Sequence, residues 1–382
     1  MSIATPIQPG NLVIDCDSHV MEPADLWESY LEPEFRSRAI RIARDPADSM
    51  EVMYIDNQPL LKGVLGGLGG VSIDRQKLLT PGAVTYAEGC PAASYRSDDR
   101  ITLLDAWGVD AGVLFPTVGI LWDTADDTLA AAYARAYNNW LSDHASGAPG
   151  RMIKIAHLAL QNPETALAEL RRCLKLGFKG IFLAPEPIGG KRFSDPMFDP
   201  IWSECEEAGI PACLHVIVRF NRAPGLLGNF YQVGEFRAVY GFALGGFAQI
   251  VPAMMTMIAD GLFDRFPKLK LLCVEAGCGW APYIMDRMDE KHEHLGWTFP
   301  LAMKPSDYFR RNIWVVAEPD ERTIGNVMDL MGDDRVLWGS DFPHIDSTIE
   351  APVRIRKSIA ALAPERRRKV MGENARRLFA FD

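Results

Sequence analysis

Val13-Ile14-Asp15-Cys16-Asp17-Ser18-His19, followed by Val20-Met21-Glu22-Pro23, reads as a β-strand that ends in a polar row. Alternate side chains of a strand share a face, so Asp15, Asp17 and His19 line up together. Burying such a row costs free energy unless a counter-charge joins it. A divalent metal is the simplest counter-charge, because carboxylate and imidazole spaced two apart can both reach one ion. Aspartates that cap the strand, above a histidine hydrogen-bonded in the core, would leave the same pattern. The motif alone does not separate the two.

Outward from this strand the chain first loses regularity and then gains it. Within 24–95 a hairpin is expected, Glu51–Ile55 and Leu60–Val64 around Asp56-Asn57-Gln58-Pro59, then glycines at 63, 66, 67, 69 and 70. Glycine at that density implies a loop that moves or hugs a ligand. From Ser97, read as an N-cap, strands and helices alternate. The expected strands are Ala111–Phe115, Met152–Leu158, Lys179–Leu183, Pro211–Val218, Lys270–Val274, Ile313–Val316 and Arg335–Trp338. Helices are expected between them at about Asp126–His144, Pro163–Leu176, Met197–Ala208, from Tyr240, Gly279–His294 and Glu318–Met331. Short unbroken apolar runs such as Ile181–Leu183 are how parallel strands buried on both faces look. Eight strand–helix units predict an α/β fold, a (β/α)8 TIM barrel with insertions after strands 1 and 5. We expect one metal-dependent domain over 1–382, with an insertion at about 24–95 and a lid-like segment at about 219–240. No G-x-G-x-x-G follows a strand, which removes the usual nucleotide-binding sign of an open doubly wound sheet.

Composition narrows the partners. A net charge of −10 offers no basic face to phosphates, so no nucleic-acid partner is expected. The cluster Arg366-Arg367-Arg368-Lys369 reads as a solvated helix face. Seven scattered cysteines without a CxxC pair suggest reduced thiols and a cytoplasmic enzyme. The apolar run Tyr240–Ala259 is broken by Gly245-Gly246 and Pro252, so no membrane span is expected, and no secretory signal is apparent.

In a barrel the chemistry sits at the carboxyl ends of the strands. Strand one ends in Asp17 and His19, strand five in Leu214-His215-Val216, strand six in Val274-Glu275-Ala276-Gly277, and strand eight in Gly339-Ser340-Asp341-Phe342-Pro343-His344. Asp17, His19, His215 and Asp341 together would make a mononuclear metal site open to water or substrate.

Several stretches carry a family resemblance. They are Asp15-x-Asp17-x-His19-x-x-Glu22-Pro23, Leu114-Phe115-Pro116-Thr117, Asn138-x-Trp140-Leu141, Gly177-Phe178-Lys179-Gly180, the His215 strand, and Trp338 to His344. With these the chain resembles the amidohydrolase-related family, the branch of aminocarboxymuconate semialdehyde decarboxylase and resorcylate-type decarboxylases. The resemblance implies a metal-dependent barrel with ligands from strands one, five and eight, and a homo-oligomer, a dimer. Many relatives carry His-x-His on strand one, whereas this chain has Asp17-x-His19, closer to the aromatic decarboxylases. On strand six relatives often place a histidine before the glycines, where this chain has Glu275. If that histidine handles protons, Glu275 or His344 must take over.

Two aspartates and two histidines suit one divalent ion, Zn2+ first and Mn2+ second. No lysine ends strand four, since Lys179 lies at its start, so a bridging carboxylated lysine and a second ion are not expected. Asp341, Glu275 and His344 are the catalytic candidates. His157 and Arg219 are the substrate-binding candidates, Arg219 with Arg222 offering bidentate contact to a carboxylate. A histidine packed under a loop and two solvated arginines would account for the same residues. Glu22 is expected to orient His19. His144, His292 and His294 are expected on the surface. Phe230, Tyr231, Phe236, Tyr240 and Phe242 suggest an apolar wall for a small aromatic or cyclic substrate. Two activities compete. One is non-oxidative decarboxylation of an aromatic or enol carboxylate by a metal-dependent carboxy-lyase. The other is a hydrolase whose ion activates water against a C–N, C–O or C–C acyl bond.

Overall fold

The computed structural model describes residues 12–122, 124–219 and 238–381. Strand β1 (Ile14–His19) is buried along its whole length. A small antiparallel sheet follows, β2 (Arg41–Arg44), β3 (Glu51–Ile55) and β4 (Gln58–Lys62), in the order β2-β3-β4. The barrel resumes with β5 (Ala111–Phe115), β6 (Met152–Ala156), β7 (Gly180–Leu183), β8 (Pro211–His215), β9 (Lys270–Val274), β10 (Ile313–Ala317) and β11 (Val336–Trp338). The strands lie in sequence order from β1 to β11, and each neighbouring pair is parallel. Helices cover the outside, which is why the strand residues are apolar and buried on both faces. The fold class is the expected TIM barrel.

The barrel closes between β1 and the residues just past β11. Ser18 bridges to Phe342, and the His19 N–H donates to the Phe342 carbonyl at 2.6 Å. The N–H groups of Ser340 and Asp341 both donate to the Asp17 carbonyl, at 3.2 and 2.8 Å. This seam therefore joins the two segments that carry Asp17, His19 and Asp341.

Several local expectations change. The hairpin turn is the two-residue Asp56-Asn57, with φ of 49° and 60°, so β4 starts at Gln58 and takes in Pro59. Proline is tolerated there because β4 is an edge strand. Strand β2 was not anticipated, since its Arg41-Ile42-Ala43-Arg44 has no buried residue and two exposed arginines. The glycine-rich run is tightly packed. A Cβ on Gly69 would collide with the Gly89 carbonyl, and one on Gly66 with Val84. Ser97 is the first helical residue of Ser97–Trp107, with Arg96 as N-cap. Glu318 precedes its helix, Ile324–Met331, and stands at the end of β10. His144 is buried and stacks on Trp140 with ring centroids 5.2 Å apart, contrary to the surface expectation. Phe230, Tyr231, Phe236, Arg222 and nearly all of 219–240 lie outside the described residues, as do the side chains of Tyr240 and Phe242. Among the described residues no helix is long and apolar enough to cross a membrane, and all seven cysteines are unpaired.

Candidate metal centre

Strand β1 turns its last residues towards the barrel mouth with an irregularity between Asp15 and Ser18 in its pairing with β5. Asp15 consequently leaves the row expected from simple alternation. Its Oδ1 accepts from the Ser340 N–H at 2.8 Å, and its Oδ2 from the Ser340 hydroxyl at 2.5 Å. Burial pushes its carboxyl up to about 7, against those hydrogen bonds. Asp15 fastens the loop after β11 to β1.

Asp17 and His19 stay at the mouth and meet His215 from β8. The Asp17 Oδ1 is 3.2 Å from His19 Nε2 and 3.4 Å from His215 Nε2. The two Nε2 atoms are 3.2 Å apart, and the Asp341 Oδ1 is 3.4 Å from His19 Nε2. His19 and His215 are fully buried, and Asp17 and Asp341 nearly so. Each imidazole has its other nitrogen engaged. His19 Nδ1 meets the Pro116 carbonyl at 2.9 Å, and His215 Nδ1 the Val216 carbonyl at 2.9 Å. A carbonyl only accepts, so the proton of each neutral ring sits on Nδ1 and both Nε2 lone pairs point at one another. Lone pairs and carboxylate oxygens gathered in a buried place fit a cation, with Asp17 beside both rings and Asp341 beside His19. Burial lowers the His19 pKa, so an imidazolium is a poor substitute. For Asp17, burial pushes the pKa up, and the neighbouring His19 and His215 rings more than reverse that. The donor set fits a divalent ion, with nitrogen and oxygen ligands in the proportion such sites use.

The carbonyl contacts explain the Phe115-Pro116-Thr117 motif. Pro116 fixes the His19 ring, and the Thr117 hydroxyl lies 3.0 Å from His344 Nε2. His344 Nδ1 lies 2.7 Å from the Asp341 Oδ1, and its ring packs on His19 at 4.0 Å between centroids. Burial, then the neighbouring His19, pushes the His344 pKa well down. The pKa of Asp341 is pushed well up, first by burial and then by Glu275, Asp346, Asp17 and Glu318. Glu22 does not touch His19. Its carboxylate accepts from the N–H groups of Thr117, Val118 and Gly119 at 3.3, 2.8 and 3.1 Å, so it holds the loop that holds His19. Burial raises its pKa to about 7.

Glu275 directly follows β9, with its Oε2 3.5 Å from His215 Nε2. Both Glu275 and Asp341 have left-handed backbones, with φ of 58° and 54°. That conformation costs on the order of 1–3 kcal/mol for a residue with a side chain. Gly339 is required where it stands, because a Cβ would collide with the Asp17 Cβ. His157 and Arg219 sit apart from this cluster. His157 Nε2 faces the Gly119 carbonyl at 3.2 Å, and its ring stacks on Phe182 at 5.0 Å, with its pKa lowered to about 3 by burial. Arg219 pairs with the Glu186 carboxylate at 3.1 Å and donates to the Ile120 carbonyl at 2.8 Å.

Three contributors escaped the sequence reading. Arg100 is fully buried and donates to the Ser18 hydroxyl at 2.7 Å and to the His19 carbonyl. Thr117 lay inside a motif already singled out, without a role. Glu318, pushed up to about 8 by burial and then by Asp17 and Asp346, ends a barrel strand, the position that flagged Glu275.

The family model for amidohydrolases matches residues 104–381, most of the chain. The chain belongs to the amidohydrolase family. Among characterised relatives of this amidohydrolase is the γ-resorcylate decarboxylase of Rhizobium sp. (strain MTP-10005), 29% identical over 305 residues. That match covers 75% of this chain and 87% of the relative. An amidohydrolase crystal structure from Mycobacterium avium subsp. paratuberculosis K-10 superposes with a TM-score of 0.80 at 24% identity, covering 97% of this chain and 100% of the other. The 5-carboxyvanillate decarboxylase of Novosphingobium aromaticivorans, solved with manganese and 4-hydroxy-3-methoxy-5-nitrobenzoic acid, gives 0.71 at 21% identity, covering 98% of each chain.

Proposed function

We propose that this amidohydrolase is a metal-dependent carboxy-lyase that removes CO2 from an aromatic or enol carboxylate without an oxidant. The observation that carries the reading is the Asp341–His344 pair, 2.7 Å apart and buried beside His19. Decarboxylation of an aromatic acid needs a proton delivered to the carbon that loses CO2, from an acid held out of bulk water. Asp341 supplies that proton, and the carbon–carbon bond then breaks with its electron pair returning to the ring. His344, steadied by the Thr117 hydroxyl, orients the Asp341 carboxyl and returns a proton to it from solvent. The γ-resorcylate decarboxylase relative supports the same class of substrate.

Asp17, His19, His215 and Asp341 would hold the ion. A bound divalent ion supplies a Lewis-acid charge for the substrate carboxylate and its adjacent hydroxyl or keto oxygen. Two imidazoles with two carboxylates suit Zn2+ or Mn2+, and the carboxyvanillate enzyme carries manganese. The Phe115 and Phe182 rings pack beside His215, with centroids 4.9 and 5.7 Å away, which makes the surroundings of that ligand aromatic. Seven unpaired cysteines support a reducing, cytoplasmic compartment.

The test is to incubate metal-loaded protein with a panel of hydroxybenzoates and follow released CO2, beside a panel of esters and amides. CO2 release with the matching phenol is expected. Turnover confined to the esters or amides would replace this reading with the hydrolase.

A further inference from the structure

We infer that Glu275 is itself a donor to the metal centre, giving two imidazoles and three carboxylates and favouring Mn2+ over Zn2+. This rests on the metal centre proposed above. The donor atoms of Asp17, His19, His215 and Glu275 all lie within 4.8 Å of one another. Those of His19, Glu275, Asp341 and His344 satisfy the same limit, so Glu275 is common to both halves of the cluster. Its Oε2 is buried and has no hydrogen-bond partner among the described residues. A buried carboxylate oxygen in that state is costly unless a cation or donor is added.

The backbone around it is held while the carboxylate is left over. Glu321 accepts from the N–H groups of Cys278 and Gly279 at 3.0 and 2.6 Å, which fixes the turn after β9. From the other side Gly246, in the helix Ala238–Ala259, packs so closely that a Cβ would collide with the Glu275 carbonyl oxygen. Pinned between them, Glu275 keeps its left-handed φ of 58° and aims at His215. A proton-transfer role fits less well. Asp341 has His344 at 2.7 Å with Thr117 beyond it to return a proton, whereas the Glu275 Oε2 faces His215, itself a candidate ligand, at 3.5 Å.

A third carboxylate changes which ion the site prefers. Zn2+ is satisfied by four donors in a tetrahedron, while Mn2+ takes more oxygen ligands at higher coordination number.

The experiment strips the protein with a chelator and titrates Mn2+ and Zn2+ separately, reading free Mn2+ by electron paramagnetic resonance. Metal content is also read after dialysis against both ions at equal concentration. Glu275→Gln should weaken Mn2+ binding by at least roughly 100-fold, because losing a direct donor costs more than losing an outer-shell partner. It should weaken Zn2+ binding far less, so the ratio of bound ions moves towards Zn2+. Glu275→Asp, which keeps the charge, should recover part of the Mn2+ preference. Unchanged Mn2+ affinity and an unchanged bound-Mn2+ spectrum in Glu275→Gln would overturn the inference. His215→Ala separates the two failures. If it loses both ions while Glu275→Gln loses neither, the metal centre stands and Glu275 is no ligand. If His215→Ala binds both ions as the parent does, the metal centre itself is wrong.

Discussion

The two sides of the barrel mouth are built differently. On the β1–β11 side each candidate ligand is fixed more than once. Asp17 accepts two backbone N–H groups at its carbonyl, His19 is held by Pro116, and Asp15 ties Ser340 to the same strand. On the β8–β9 side His215 is held by the carbonyl of the next residue, and the Glu275 Oε2 by nothing among the described residues. A ligand held several times over loses little freedom when an ion or substrate arrives, which is the meaning of pre-organisation. The opposite side is where chemistry can vary between relatives without disturbing closure of the barrel. Glu275 lies there.

The hardest test of the seam is Asp341→Asn. An amide occupies the same space but carries no transferable acidic proton, so turnover should be abolished even where some metal is retained. CO2 release at the parent rate from the metal-loaded Asp341→Asn protein would remove Asp341 from proton transfer. His344→Gln comes next. Losing a positioned acid–base partner costs typically 10²–10⁴-fold, and the rate should fall within that range, with one limb of the pH–rate profile lost. A near-normal rate with both limbs intact would leave His344 a packing residue.

Glu22 tests whether the loop supporting the seam carries a buried charge. Its pKa is raised to about 7 from 4.5 by burial, so the folded state holds its proton more tightly than the unfolded chain. The contribution of Glu22 to stability is therefore complete below about pH 4.5 and is lost as pH rises through about 7. Glu22→Gln removes that dependence. Denaturant unfolding should show the variant gaining on the parent by up to about 3 kcal/mol between acid and neutral pH, at about 1.4 kcal/mol per pKa unit. A constant difference across that range would mean that Glu22 is not a neutral buried acid.

What the sequence could reveal follows the same division. Ligands at strand ends were legible because alternation and the barrel rule each place them, and His215, Asp341 and Glu275 all stand where a strand stops. The seam was not. Ser340 lies 325 residues from Asp15, and no local pattern says that the two exchange hydrogen bonds. Arg100 looked like any helix-borne arginine, and its partners Ser18, His19 and the Phe342 ring all come from distant parts of the chain. The glycines at 66 and 69 suggested motion, whereas the structure uses them for backbone contact, and composition cannot tell those two needs apart. Pro59 was placed in the hairpin turn because edge position is a property of the finished sheet.

The smallest effect should come from Asp15→Asn, and it sharpens the comparison most. Asp15 touches no candidate ligand side chain and acts through Ser340 and the Asp17 N–H, the latter at 3.3 Å. An asparagine keeps one oxygen for the Ser340 N–H but turns an amide towards the Ser340 hydroxyl. That hydroxyl can rotate, accept from the amide and donate instead to the Asp17 carbonyl, now 3.4 Å away. The lock should therefore loosen without opening, and metal affinity should fall by about 10-fold, the lower end for an outer-shell partner. Ser340→Ala, which leaves the Asp15 Oδ2 with no donor, should cost more than Asp15→Asn. If both variants bind Mn2+ as the parent does, the seam closes the barrel without setting the geometry of the metal centre. The affinity would then be decided on the β8–β9 side.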